Sequence, residues 1–285
     1  HKQEVPDPAL LYGVSAYQQA YYSIRRVMEV GEASLHIVNA QSAVAFNEAL
    51  EAIVRDTSAE FYRFSLSYFT DRGDFFGMAL PTDKRSYERF AGIIEHLVSI
   101  AEKDIEKPVI CVMDNIDALP SSIRVGLNPV LWENEVVIPE IQKTIRIPHN
   151  VHLLFTMDAA AELQDKAFCT RLLRSRVAAI DETGMKNLLV NKMNVEISCA
   201  ERLARFFTVC NKTAWRDDEV SFSPLHIETP LTYSRVLYDD DAHIYEEVYR
   251  YCIGRFRTED DRHMFRKIFA ETLGEDPLQW EEGTV

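Results

Sequence analysis

The chain has 285 residues, of which 47% are hydrophobic, so it can bury the core of one large domain or two smaller ones. Its 31 Lys and Arg residues stand against 45 Asp and Glu residues, a net charge of −14 that argues against general binding to nucleic acid or anionic membranes. Its apolar stretches are shorter than the roughly 20 residues of a membrane span.

The five cysteines are widely spaced and form no C-x-x-C pair, which is typical of reduced intracellular thiols rather than a disulfide scaffold or a zinc site. The eight histidines show neither H-x-x-x-H nor H-E-x-x-H spacing, so no catalytic metal site is expected. The first residues, "HKQEVPDPAL", carry neither a signal-peptide core nor an initiator Met. We therefore expect a soluble, cytoplasmic segment of a longer polypeptide.

Predicted strands and helices alternate along the first part of the chain. Apolar spacing at i, i+3 and i+4 predicts helices over 17–30, 45–57, 86–104 and 122–135, the first ended by Gly31. Alternation or short apolar runs predict strands over 34–38, 60–69, 107–117 and 150–158. This rhythm implies an α/β fold with a parallel sheet.

Beyond about residue 181 the predicted elements are all helical. They cover 186–193, 200–212, 242–256 and 262–273, with a polar loop predicted from Asp217 to Asp241. The sequence therefore predicts a parallel-sheet large domain over 1–183, followed by a smaller α-helical lid domain over 184–285.

Polar residues end two of the predicted central strands. Asp114 and Asn115 follow the apolar run "VICVM", and Asp158 ends "NVHLLFTMD". In parallel sheets the carboxyl ends of the strands form the ligand crevice, so we expect these three side chains to face one cleft.

An α/β domain with these two core strands, followed by a helical domain, resembles the AAA+ superfamily of P-loop NTPases. The resemblance implies that Asp114 stands at the Walker B position, whose aspartate holds magnesium in that family. It also implies that Asn115 replaces the catalytic acid and cannot act as a base. Asp158 would stand at the sensor 1 position, where Asn is commoner.

Within AAA+ proteins the chain is most similar to a module of the dynein heavy-chain motor ring, closest to the fourth. The segments that carry the likeness are "YQQAYYSIRRVMEV", "VICVMDNIDALPSSIRVGLNPVLWENEVVIPE" and "NVHLLFTMDAAAELQDKAFCTRLLRSRVAAID". The resemblance implies neighbouring ring modules as partners and a cytoskeletal setting, with a cilium or axoneme left open. Origin-recognition ATPases and the GTPase subunit of methyl-directed restriction systems share parts of these motifs.

Aligned on the strand "LHIV", the phosphate-loop pattern G-x-x-x-x-G-K-[ST] falls on residues 39–46. Asn39 and Val44 replace the glycines, Ala45 the lysine and Phe46 the hydroxyl residue, while Ser42 replaces a mid-loop glycine of many members. The amide cradle, the phosphate-binding charge and the magnesium ligand are thereby lost. We expect no bound cofactor, with weak ATP or ADP binding left open. An ordinary strand and helix with no phosphate-loop ancestry is the alternative.

Arg174 and Arg176 lie where AAA+ rings place arginines near the nucleotide of a neighbouring subunit. An exposed guanidinium at a ring interface is sufficient for that role. The alternative is a pair of ordinary surface arginines on a helix.

The resulting hypothesis is a degenerate module of a dynein-like motor ring that does not hydrolyse ATP at this site and transmits conformational change for microtubule-based movement. One alternative is a pseudo-ATPase scaffold subunit of an origin-recognition-like or restriction-like assembly. Another is an active ATPase with a non-standard loop.

Overall fold

A computed structural model describes residues 10–82, 86–138, 143–163, 165–217, 220–238 and 241–281. The strands are β1 Ser34–Val38, β2 Glu60–Ser65, β3 Met78–Pro81, β4 Tyr87–Phe90, β5 Val109–Asp114, β6 Glu135–Ile138, β7 Lys143–Arg146, β8 Val151–Asp158 and β9 Leu173–Arg176. The helices are α1 Ser15–Val30, α2 Ala43–Thr57, α3 Arg72–Phe76, α4 Ile93–Ala101, α5 Ser121–Glu133, α6 Lys166–Cys169, α7 Glu182–Asn191, α8 Ile197–Lys212, α9 Leu225–Tyr238, α10 Ile244–Ile253 and α11 Glu259–Leu273. Short 3-10 turns lie at Leu10–Gly13, Ile116–Ala118 and Pro277–Trp280.

Five strands form one parallel sheet in the order β2-β5-β8-β1-β9. The central strands β5 and β8 are buried along almost their whole length, as continuous apolar runs predict. β1 has the predicted bounds, and Gly31 ends α1 with a φ of 74°. The predicted α/β class, with a parallel sheet and a helical C-terminal part, is confirmed.

The chain divides into two compact units. The sheet unit comprises Tyr21–Asn39 and Ala49–Val177 and contains every strand given above. The helical unit comprises the described residues up to Ala20, the segment Ala40–Glu48 and the described residues from Ala178 onward. The division into domains at residues 183 and 184 stays a prediction.

Each unit has its own apolar core. The sheet unit buries aliphatic and aromatic side chains of the sheet and of α3 to α6, among them Phe75, Phe76, Leu97, Met113, Leu127, Phe155 and Phe168. The helical unit packs aromatic rings, among them Phe206, Phe222, Tyr249, Phe256, Phe265 and Phe269, and the centroids of Phe256 and Phe265 lie 4.9 Å apart. Aromatic pairs at such separations add to area burial.

The helix predicted over 86–104 is wrong in its first part. Tyr87–Phe90 is strand β4, paired antiparallel with β3, and α4 begins only at Ile93. A Cβ atom on Gly92 would lie 2.3 Å from the carbonyl oxygen of Phe75, so the two backbone segments meet at a point where only glycine fits. The apolar spacing of this segment fits a helix, and it carries no information about this close approach.

Two further elements contradict the sequence-based expectations. The segment around Arg174 and Arg176 is the edge strand β9 and not a helix. The predicted loop from Asp217 to Asp241 contains α9, which buries Ile227 and Leu231 completely. Pro230 and polar residues on its buried side, such as Glu228, obscured its pattern, although the buried residues have helical spacing.

Among the described residues, every helix is too short or too polar to cross a membrane.

A buried histidine joins β1 to the edge strand β9. His36 is 1% exposed, and its Nε2 lies 2.8 Å from Ser34 Oγ while its Nδ1 lies 2.9 Å from Ser175 Oγ. Burial lowers the pKa of His36 to about 4. The imidazole is therefore neutral at pH 7 and hydrogen-bonded on both ring nitrogens.

We expect His36 to make the fold sensitive to mild acid. Its pKa in the folded chain is about 4 against 6.5 unfolded, so its contribution is complete above pH 6.5 and is lost as the pH falls towards 4. Between pH 7 and pH 5 this amounts to about 2 kcal/mol of unfolding free energy. Urea unfolding of wild type and His36→Gln at pH 7 and at pH 5 measures this change in unfolding free energy. An equal pH dependence in the two proteins would contradict the assignment.

Candidate functional site

The acid at the end of β5 is held by side chains of both neighbouring strands in the sheet unit. Arg63 of β2 donates from Nε to Asp114 Oδ2 at 2.5 Å and from Nη2 to Oδ1 at 3.2 Å. Thr156 of β8 donates its hydroxyl to Oδ1 at 2.8 Å. The Asp114 side chain is only 17% exposed, so a two-point ion pair compensates a carboxylate that is largely removed from water.

Asn115 extends this arrangement through an unusual backbone conformation. Its φ of 61° and ψ of 50° lie in the left-handed region, which Asn tolerates better than most residues. Its side-chain amide lies 3.5 Å from Ser65 Oγ, and its backbone N–H lies 3.4 Å from Thr156 Oγ1. We call Arg63, Ser65, Asp114, Asn115 and Thr156 the Asp114 cluster. It contains no group that could act as a base without first breaking the ion pair.

Asp158 ends β8, the strand next to β5, but its side chain is engaged differently. It is exposed, and its Oδ1 accepts a hydrogen bond of 2.7 Å from the backbone N–H of Ala160. In the sheet register Asp158 stands beside Val38, which Asn39 follows. The strand ends are therefore neighbours as predicted, while Asp158 caps its own turn. Its role as a sensor stays a prediction.

The sheet unit also contains a cleft of about 770 Å³ near the end of β2. The residues that line it include Arg63, Phe64, Met78, Leu80, Phe90 and His96. Asp114, Asn115 and Asp158 are not among them. The Asp114 cluster therefore borders the cleft through Arg63 and Ser65, whereas the polar residues at the ends of β5 and β8 do not line it.

The phosphate-loop position after Asn39 belongs to the helical unit. Residues 40–42 form a turn, and residues 43–46 form the first turn of α2. This helix begins at Ala43, and Phe46 N–H donates to Ser42 C=O at 3.2 Å. Residues 40–46, all of which the structure describes, include none with a positive φ. Ala45 and Phe46 are each 1% exposed, whereas Val44 is half-buried. The positions of the lysine and the hydroxyl residue are thus filled by buried apolar side chains.

A lysine at the end of α7 contacts two carboxylates of the same unit. Lys192 Nζ donates to Glu48 of α2 and, at 3.0 Å, to Glu228 of α9, whose side chain is 9% exposed. Burial disfavours the charge on Lys192, but the hydrogen bonds to the two carboxylates outweigh it and raise its pKa. We call these three residues the Lys192 group. Two carboxylates around one ammonium carry a formal charge of −1 next to the first turn of α2.

Arg174 and Arg176 lie on β9 at one edge of the sheet, and both are exposed. Neither forms an ion pair with any residue that the structure describes. Their guanidinium groups are exposed, which is one of the two conditions for a trans-acting arginine; the other is a position at a ring interface.

Several residues of these two sites were missed by the sequence analysis. Arg63 occupies an exposed position in the alternating pattern of β2 and so carried no signal of its own, whereas Thr156 interrupts an apolar run and carried a weak one. Glu48 lies 144 positions from Lys192, and Glu228 lies 36 positions from it, so no motif spacing connects them.

The described residues contain no group of three or more His, Cys, Asp or Glu side chains that could hold a metal ion. Asp114 is the only carboxylate of the Asp114 cluster, and both of its oxygens accept hydrogen bonds. Magnesium, which the resemblance to AAA+ proteins implies at this position, therefore does not fit the arrangement of side chains found there.

No family model matches the chain, and no curated protein matches it. Among solved structures 784 chains match, including a candidate ATPase from Cytophaga hutchinsonii. That likeness has a TM-score of 0.45 and 12% sequence identity, and it covers 94% of this chain and 88% of the other. No activity and no residue role follows from a likeness of this degree.

We expect Lys192→Met to lower the free energy of unfolding by about 2 to 3 kcal/mol, because it leaves the buried carboxylate of Glu228 without its cation. Adding Glu228→Gln should recover part of the loss. Lys186→Met is the matched control, since Lys186 lies on the same helix and pairs with Glu201 at the surface; it should cost less than about 1 kcal/mol. Urea unfolding measures all four proteins, and equal losses in the two single Lys variants would contradict a special role for Lys192.

Arg174→Ala and Arg176→Ala should each change the free energy of unfolding by less than about 0.5 kcal/mol, because both side chains are exposed and unpaired among the described residues. Thermal or urea unfolding checks this. A loss of 2 kcal/mol or more would show that these arginines support the fold of this chain itself.

Proposed function

We propose that this chain is a catalytically degenerate AAA+-like module with a structural or regulatory role and no ATP hydrolysis of its own. The observation that carries the proposal is the first turn of α2, where Ala45 and Phe46 are buried in place of a lysine and a magnesium-binding hydroxyl. No glycine is present there to shape an amide cradle for phosphates.

Two further observations support the absence of turnover. Asn115 occupies the position of the catalytic acid, and an amide accepts no proton at neutral pH. In the helical unit Lys192 contacts α2 through Glu48, and it is bound by both Glu48 and Glu228. The resulting excess of negative charge would repel a triphosphate.

The finer proposal is a module of a dynein-like motor ring that acts in microtubule-based movement. It rests on the sequence resemblance of residues 17–30, 109–140 and 150–181. It makes neighbouring ring modules the partners and a cytoskeletal location in cytoplasm or cilium the setting. In such an assembly the module would pass on rigid-body movements through packed interfaces. The exposed Arg174 and Arg176 suit a role at the nucleotide of a neighbouring module.

Calorimetric titration of the purified chain with Mg-ATP and with Mg-ADP tests the proposal. We expect no binding tighter than a Kd of about 1 mM, which corresponds to roughly −4 kcal/mol, and no phosphate release above that of buffer. Micromolar binding that Asp114→Ala abolishes would overturn the proposal, because it would show a working nucleotide site at the end of β5.

A further inference from the structure

We infer that Arg63 is a built-in replacement for the divalent cation at the end of β5, and that its guanidinium keeps metal ions away from Asp114. The inference deepens the proposed function and rests on it, since it names the means by which this strand end is closed to magnesium. It concerns residues of the sheet unit alone.

Both oxygens of the Asp114 carboxylate already accept hydrogen bonds. Arg63 reaches both oxygens of Asp114, at 2.5 Å and 3.2 Å, and Thr156 donates to one of them at 2.8 Å. A magnesium ion binds oxygen ligands at about 2.0 to 2.1 Å and requires near-octahedral geometry. It could reach Asp114 only by displacing the guanidinium, whose positive charge also repels it.

The charge of Asp114 needs compensation because its carboxylate is largely buried. The Asp114 side chain is 17% exposed and that of Arg63 is 39% exposed, so the pair lies partly out of water. A largely buried carboxylate without a partner is strongly destabilising. A buried carboxylate is stabilised by a cation or by hydrogen bonds, or it takes up a proton. In this chain Arg63 supplies the cation.

The side chains around the ion pair carry oxygen atoms. Besides Arg63, the Asp114 cluster consists of one carboxylate, the hydroxyls of Ser65 and Thr156 and the amide of Asn115. Oxygen atoms of these types are the ligands that Mg²⁺ and Mn²⁺ prefer. Removing the guanidinium should therefore leave an oxygen-lined site with an uncompensated negative charge, and that site should bind a divalent cation weakly.

The test compares wild type with Arg63→Met, without nucleotide, by thermal unfolding in MnCl₂ and in NaCl of equal ionic strength. We expect Arg63→Met to unfold at a lower temperature, and we expect Mn²⁺ at about ten times its Kd to raise that midpoint by about 2 °C. Wild type should show no such rise. Loss of the free Mn²⁺ resonance signal should indicate binding at least tenfold tighter in the variant. Equal Mn²⁺ responses in the two proteins would overturn the inference.

Arg146→Met is the matched control, because Arg146 is 81% exposed in its pair with Glu135 and its replacement makes the same change in net charge. It should leave the Mn²⁺ response as in wild type. A response equal to that of Arg63→Met would trace the effect to net charge and would overturn the inference.

The double variant Arg63→Met with Asp114→Asn covers the case in which Arg63→Met does not fold. We expect the double variant to fold and its unfolding midpoint to be unchanged by Mn²⁺, because neither charge remains. If the double variant unfolds as readily as Arg63→Met, Arg63 supports the fold in another way and the inference fails. These results are independent of nucleotide, so they fail separately from the calorimetric test of the proposed function.

Discussion

The sheet unit depends on one constraint at the end of β5, where the acidic residue that follows five buried apolar residues must be compensated. Parallel pairing of β5 with β2 on one side and β8 on the other brings Arg63 and Thr156 to the two oxygens of Asp114. The same register lets Asn115 turn in the left-handed conformation above Ser65. A single ion pair thus fixes the polar end of the central strand and ties the edge strand β2 to it.

The central strands were predictable because their signal is local. β1, β5 and β8 are short apolar runs with clear ends, and the structure places them at or near the expected residues. The partner of Asp114 was not predictable, because the order of strands in a sheet follows from packing over the whole unit. Nothing in the sequence near Asp114 indicates that Arg63, 51 positions away, lies on the adjacent strand.

The errors have the same physical origin. The segment 86–104, expected to be one helix, begins with the second strand of a hairpin. The helix starts only after Gly92, which passes against the backbone of Phe75, a contact made by residues distant in sequence. Helix α9 was missed because its pattern is irregular: polar residues such as Glu228 and Ser234 are buried on the helix, while the apolar Val236 is exposed. Local patterns identify elements that bury a regular stripe, and they fail where tertiary contacts determine the backbone path.

The two units solve the same electrostatic problem in the same way. In the sheet unit Arg63 compensates Asp114, and in the helical unit Lys192 compensates Glu48 and Glu228. A site that binds a charged ligand keeps part of its charge uncompensated until the ligand arrives, and this lowers the stability of the empty protein. Here the cations belong to the chain: Arg63 balances the charge of Asp114, and Lys192 leaves its two carboxylates with a formal charge of −1. Charges compensated from within the chain would stabilise the fold equally with and without nucleotide, as the structural role proposed above requires.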